Sequence, residues 1–290
     1  MVKIARQTDL DKIVQFVHEY NNNINYYSAY MPKPKDAIHQ EMKTSIKKNQ
    51  VLTMKENDQI LGVLVFYISP KKTVDVAGPF VIHDNLAIAK VLLDQCIMMN
   101  NGRDLNFFFS DTSDFYKTLM TFYNADFNDY EFIMKCYLNT FQPYPQKVPL
   151  TKANKEEKDR VIAIHQSIFK QTYITDDMLA DDNRYRYLYV YRDKGAITGL
   201  ALMINKGNYT VIETFGLISK YRGKGLSKPF LSTLMHYAFK NHHAKYIMLV
   251  VDEINTIATK LYSALGFVIE YKNVSYTLVS NNENDMTKEG

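Results

Sequence analysis

Cysteine is nearly absent. Cys96 and Cys136 are the only two in 290 residues, too few for a disulfide framework, and no Cys-x-x-Cys spacing offers a zinc site. A reducing, cytoplasmic setting without a bound metal is the expectation. Also missing is any run of about 20 uncharged apolar residues, the length that crosses a bilayer. The start, Met1-Val2-Lys3-Ile4-Ala5-Arg6, leads into charge rather than an apolar signal core, so a soluble protein with no membrane partner is expected. Charge of one sign is lacking too. The formal net charge is +4, with Lys and Arg spread along the chain, which disfavours nucleic acid as a partner. What remains, 46% hydrophobic and 23% charged residues, is an ordinary globular composition. The length exceeds the usual domain of about 100–200 residues, so two domains with separate cores are expected.

Hydrophobic periodicity sets out the elements. Leu10, Ile13, Val14 and Val17 recur at helical spacing within 9–20. Two apolar runs, 51–54 and 60–66, flank a polar turn as a β-hairpin does. A strand near 74–81, a helix at 86–99, a strand at 105–109, a helix at 114–123 and a strand at 130–138 follow. Pro143 and Pro145 then interrupt the pattern, because proline removes a backbone donor and pushes its predecessor out of the helical region. Beyond this linker, residues 141–146, the same order returns: helix 156–170, hairpin 185–192 and 196–204, strand 209–218, helix 225–241, strand 246–251, helix 256–265 and strand 271–279. The chain therefore reads as one domain in two copies, 1–140 and 147–280, with a polar, frayed tail at 281–290. Gly62 aligns with Gly199 and Phe127 with Phe267, at offsets of about 137 and 140 residues, close to half the chain. Two unrelated domains of similar element order are the alternative.

The strand Thr210–Ile218 runs into Tyr221-Arg222-Gly223-Lys224-Gly225-Leu226-Ser227 and then a helix. The two glycines permit a tight turn and close backbone approach, so amides at the helix start can face a pyrophosphate, aided by the helix dipole. A plain strand-to-helix turn would look alike. A second motif follows at Asn255-x-x-Ala258-x-x-Leu261-Tyr262-x-x-Leu265-Gly266-Phe267. Together the two resemble the GNAT acetyltransferase family, in which Arg-x-x-Gly-x-Gly/Ala opens the pyrophosphate loop and Asn…Ala…Tyr…Gly-Phe lies on the next helix. Ser227 departs from the usual Gly or Ala, and a small hydroxyl there is compatible with a phosphate.

The resemblance implies an α/β (α+β) protein of two GNAT-like domains, each a mixed, mostly antiparallel sheet flanked by helices. It implies acetyl-CoA as cosubstrate and an amine acceptor, in a monomer or homodimer. The backbone of Leu217 and Ile218 would pair with the pantetheine arm. The N–H groups of Arg222, Gly223, Lys224, Gly225, Leu226 and Ser227 would hold the pyrophosphate, and Asn255 would hydrogen-bond the pantetheine. Tyr262 would protonate the departing thiolate, since a phenol near pKa 10 can return a proton to sulfur; without the motif it reads as a packing aromatic. Glu213, placed by alternation on one face with Phe215 and Leu217, would serve as the base that frees the amine, or else as a strand glutamate in a salt bridge.

Other groups carry blander readings. His242 and His243 are expected as surface histidines rather than a metal pair, and Asp252 with Glu253 as a solvated loop. The row Tyr185, Tyr187, Tyr189 and Tyr191 suits packing more than an acceptor cleft. The acidic run Asp176, Asp177, Asp181 and Asp182 reads as loop solvation before attraction of a cationic amine. In the first copy the strand 74–81 leads to no Arg-x-x-Gly-x-Gly. Counting back from Phe127 places Phe122 at the Tyr262 position and Phe115 at that of Asn255. That copy is expected to be non-catalytic and to shape the acceptor pocket.

Overall fold

The computed structural model describes residues 2–69, 73–169, 174–179 and 185–280. It falls into two compact units, Met1–Glu131 with Lys272–Gly290, and Phe132–Tyr271. The division differs from a cut at 141–146. The C-terminal strand returns to the first unit from Lys272 onward, and the second unit begins inside the strand that precedes the prolines. The proline segment itself belongs to the second unit, where the amides of Tyr144 and Val148 donate to the Ser232 and Thr233 hydroxyls at 2.8 and 3.2 Å.

In the first unit the elements are β1 (Val2–Ile4), α1 (Leu10–Asn22), α2 (Lys35–Lys47), β2 (Val51–Glu56), β3 (Gln59–Ile68), β4 (Thr73–Val81), α3 (Leu86–Met99), β5 (Asp104–Ser110) and α4 (Asp114–Phe122). Parts of β6 (Asp126–Tyr137) and β12 (Val268–Leu278) complete its sheet, in the order β1-β2-β3-β4-β5-β12-β6. The expected stripe of α1, Leu10, Ile13, Val14 and Val17, is buried, each side chain stabilising the fold by about 1.5–3 kcal/mol. No element was expected at α2. It has only a few apolar residues, Ile38, Met42 and Ile46, on its buried side, too sparse a stripe to announce a helix.

The second unit contains β7 (Thr151–Lys152), α5 (Lys158–Ile168), β8 (Arg186–Asp193), β9 (Ala196–Asn205), β10 (Tyr209–Leu217), α6 (Ser227–Asn241), β11 (Tyr246–Asp252) and α7 (Thr256–Ser263), ordered β6-β11-β10-β9-β8-β7. Asn154 and Glu157 form a capping box at the entry to α5, satisfying two amides that a helix start leaves open. Cross-strand rows define the faces. Tyr189, Ala201 and Phe215 share a row, and Phe215 packs on Phe230 of α6 at 5.5 Å. Leu188, Val190 and Leu202 lie on the opposite face, in a core with Val161 of α5.

Both units contain one parallel pair that ends early. β4 and β5 pair only from Thr73 and Asp104 to Val76 and Phe107, although β4 runs on to Val81. β10 and β11 pair only from Tyr209 and Tyr246 to Val211 and Met248, although β10 runs on to Leu217. Beyond those residues the strands part and leave a gap. Gly62 and Gly199 hold equivalent places, opposite Val81 and Leu217, the last residues of β4 and β10. A Cβ on Gly199 would stand 2.3 Å from Leu217 Cδ2, and one on Gly62 would stand 2.7 Å from Leu92 Cδ1.

The pairing of Phe127 with Phe267 does not hold. After α4, Asn124 has φ +50° and the Ala125 amide donates to Met120 O; after α7, Gly266 has φ +96° and the Phe267 amide donates to Tyr262 O. Matching these helix ends makes Ala125 the counterpart of Phe267, Met120 that of Tyr262 and Ser113 that of Asn255. Phe122 and Phe115 are displaced from those roles. A chain-wide offset could not register the different turn lengths between the copies.

Candidate active site

The candidate cofactor residues follow the free ends of β10 and β11, where the two strands part. Where the strands part, the β9–β10 register slips between Ile212 and Thr214. Glu213 is thus the extra residue of a β-bulge, and alternation no longer ties it to Phe215 and Leu217, contrary to the simple strand reading. It is exposed. Surrounding protein raises its carboxyl above the usual range, against the pull of Arg186 and Lys206.

At the end of β10 the backbone is partly committed. The Ile218 amide donates to Thr198 O at 2.9 Å, and Arg222 Nε donates to Leu217 O at 2.9 Å. The expected use of Leu217 and Ile218 for strand-like pairing therefore narrows toward the Leu217 amide, because antiparallel bonds alternate sides and its neighbour's amide faces β9. Arg222 contributes its guanidinium as a tie between strand and loop, and its own amide donates to Ser219 O at 3.1 Å. The run of loop amides free of backbone bonds starts at Gly223. Among the described residues, no backbone carbonyl accepts from Gly223, Lys224, Gly225 or Leu226. Gly223 and Gly225 both have positive φ, +72° and +74°, a conformation that aims successive amides into one concavity. Leu226 precedes α6 without any side-chain cap, so the first amides of α6, including that of Ser227, stay open for an anion. Lys220, Lys224 and Lys228 add positive charge around the loop.

α7 follows β11. Asn255 caps it, its Oδ1 accepting from the Ala258 amide at 3.2 Å, which leaves the amide NH₂ as the group available to a ligand. Tyr262 is buried, packs against Phe267 at 5.8 Å, and burial pushes its phenol up to about 12. Its carbonyl accepts from the Leu265 and Phe267 amides, so the helix end holds it in place. The Arg222 tie, the bulge and the parting strands were not foreseen. Only the Gly-x-Gly spacing hinted at them.

The remaining candidates resolve differently. His242 is buried, not a surface residue: Nδ1 lies 3.2 Å from Thr210 Oγ1, and the ring stacks on Tyr187 at 4.6 Å and meets Tyr237 edge-on at 5.3 Å. Tyr189 is core, with Tyr187 and Tyr191 half-buried against it, whereas Tyr185 is exposed. His243 and Asp252 are exposed, and Glu253 is half-buried. Asp181 and Asp182 lie outside the described residues, as do the side chains of Asp176 and Asp177. Among the described residues no group of three or more His, Cys, Asp or Glu is placed to hold a metal ion, and no helix is long and apolar enough to cross a membrane.

Burial of His242, helped by Lys152, lowers its pKa to about 4. The folded state thus binds this proton less readily than the unfolded chain, in which the value is near 6.5. Stability is full above that value and falls as pH drops through the window from about 6.5 to about 4, by up to about 3 kcal/mol. Thermal melts across this range should show the loss, and His242→Phe, which keeps a ring against Tyr187, should flatten it. An unchanged pH slope in the variant would assign the loss to other groups.

The sequence model of the acetyltransferase (GNAT) family matches residues 150–267. A mycothiol acetyltransferase of Corynebacterium glutamicum is 37% identical over 65 residues, which is 22% of this chain and 22% of that protein; the chain matches about a fifth of that relative's length. A GCN5-related N-acetyltransferase from Sphaerobacter thermophilus shares the fold with TM-score 0.73 at 15% identity, over 96% of this chain and 94% of that one. A tandem GNAT protein from the clavulanic acid biosynthesis pathway shares it with TM-score 0.65 at 12% identity, over 97% and 99%. The second unit thus carries, at residues 150–267, a domain that matches the acetyltransferase (GNAT) family.

Proposed function

We propose that the second unit is an N-acetyltransferase that moves an acetyl group from acetyl-CoA to a primary amine of a small molecule or peptide, by direct attack in a ternary complex. The observation that supports this reading is the early parting of β10 and β11, with the uncapped start of α6 in the chain after β10 and α7, which carries Tyr262, after β11. The cosubstrate's pyrophosphate would lie on the amides from Gly223 to Ser227, and its pantetheine between the Leu217 backbone and the Asn255 amide.

In the reaction the neutral amine attacks the thioester carbonyl, the C–S bond breaks, and the proton lost by nitrogen balances the one gained by sulfur. Glu213 would take the amine's proton, directly or through water; a carboxyl raised above its usual range is the stronger base. Tyr262 stays protonated at neutral pH. Full transfer from a phenol near 12 to a thiolate whose thiol titrates near about 8.5 is uphill, so Tyr262 acts chiefly by donating its O–H to the sulfur as charge develops there.

The test is thiol release from acetyl-CoA across a panel of amines, beside thermal protection by CoA. CoA should raise the melting temperature of the wild type. Gly225→Val, which forces a β-branched residue to φ +74°, should weaken CoA binding at least about tenfold. CoA protection without thiol release on any amine would favour the second reading, an acyl-CoA-binding regulatory protein. Absence of protection would overturn both.

A further inference from the structure

The chain between α1 and α2 runs through the gap of the first unit. The Ala29 amide donates to Phe108 O at 2.8 Å and the Ser110 amide to Tyr27 O at 3.2 Å, bridging Ser28 to Phe109. β12 already occupies the other edge of β5 from Leu105 to Ser110. The bridge therefore lies on the edge that faces β4. On the opposite side the Tyr26 hydroxyl hydrogen-bonds the Asp84 carboxylate, in the loop after β4. Asn21, fully buried at the end of α1, accepts from the Ser28 amide at 2.9 Å and donates to Met31 O and Pro32 O at 3.1 and 3.2 Å. The segment is tied to both walls and clamped at both ends.

The groups that hold it stand where the second unit has its cofactor candidates. Ser113, counterpart of Asn255, donates Oγ to Asn25 O at 2.5 Å. Tyr116, counterpart of the small Ala258, fills the space and donates its hydroxyl to Tyr26 O at 3.2 Å. Met120, in the place of Tyr262, is buried and has no proton to give. The start of α3 is closed by Asn85, whose side chain accepts from the Ile88 amide at 3.1 Å, whereas α6 is uncapped. Asp84 adds a negative charge to the loop where phosphates would need the opposite sign.

We propose that residues 23–31 are a built-in strap that takes the place of the pantetheine arm in the first unit, closing it to acyl-CoA so that one cofactor binds per chain. The equivalence of positions rests on the reading of the second unit given above. The strap itself rests on the bonds of the first.

Amide hydrogen exchange on the full chain, without ligand and then with CoA, tests it alongside calorimetric stoichiometry. The Ala29 and Ser110 amides should exchange slowly in the free protein and be unchanged by CoA, with one CoA bound per chain. Asn21→Ala should speed both amides by about tenfold or more, since it removes the side-chain partner of two buried backbone groups and one partly buried one; Tyr26→Phe, a milder change that removes only the tie to Asp84, should speed them severalfold. Loop-like exchange of Ala29 and Ser110 in the wild type would overturn the strap, as would a second CoA that slows them further. A protein that binds no CoA while these amides stay protected would refute the function proposed for the second unit and support the strap on its own.

Discussion

Replacing Tyr262 with Phe should lower kcat by about 10²–10⁴-fold while CoA affinity changes by no more than about twofold. The ring is buried in the core of the second unit and packs on Phe267. Phe keeps that packing, so the fold and the gap should survive. What is lost is a single O–H, which matters only once charge develops on sulfur; the loss should appear in kcat rather than in KM. The burial that raises this phenol to about 12 also sets the pH response, because the protonated form is the active one. Its loss with rising pH lies beyond the usual assay range, so activity should show no alkaline limb from this group below about pH 10. A variant with wild-type kcat would remove Tyr262 from the reaction, and one that no longer binds CoA would show that the ring's role is structural.

The loop and helix of the second unit's two motifs were largely legible in the sequence because both motifs are written in local spacing. Gly223 and Gly225 adopt the positive φ that their spacing suggested, and Asn255 and Tyr262 fall at the start and near the end of one short helix. Local pattern likewise found α1, whose buried face repeats at helical spacing, and the hairpins, whose apolar runs flank polar turns. What escaped were relations between segments distant in the chain. The return of β12 to β5 is a pairing of Asn273–Leu278 with Leu105–Ser110, and nothing in either strand names its partner. The bulge at Glu213 is visible only as a slip against β9. His242 read as a surface residue because adjacent histidines at a helix end diverge and make a poor metal pair, yet α6 ends so that His242 turns in against Thr210 and Tyr187. The strap is the clearest case: Asn23–Met31 has no periodicity, and its role appears only where Phe108 and Ser110 bond to it.

The largest stability loss is expected at Gly266, the glycine of the Gly-Phe pair that closes the second motif. Its φ is +96°, and a Cβ there would lie 2.0 Å from Thr140 O and 2.7 Å from Thr140 C. These are backbone atoms, and they cannot swing aside as a side chain would. Thr140 is locked by its amide and hydroxyl, both donating to Tyr137 O, and the next turn is fastened by the Gln142 amide donating to Leu265 O at 3.1 Å. Gly266→Ala must therefore push the end of α7 off the chain after β6, at a cost of about 3–5 kcal/mol, the upper range for single substitutions. Urea denaturation measures it, and a loss below about 1 kcal/mol would mean that the approach is looser than described. Gly266→Asn separates the two causes. Asn124 occupies the equivalent turn of the first unit at φ +50°, so if positive φ alone mattered Asn would be tolerated at Gly266; since the close approach of Thr140 dominates, Asn should be about as damaging as Ala. Because the Leu265 and Phe267 amides both donate to Tyr262 O, displacement of this turn should also move Tyr262. Any folded fraction of either variant is then expected to lose kcat as well as stability, which ties the packing of one glycine to the hydroxyl proposed to stabilise the departing sulfur.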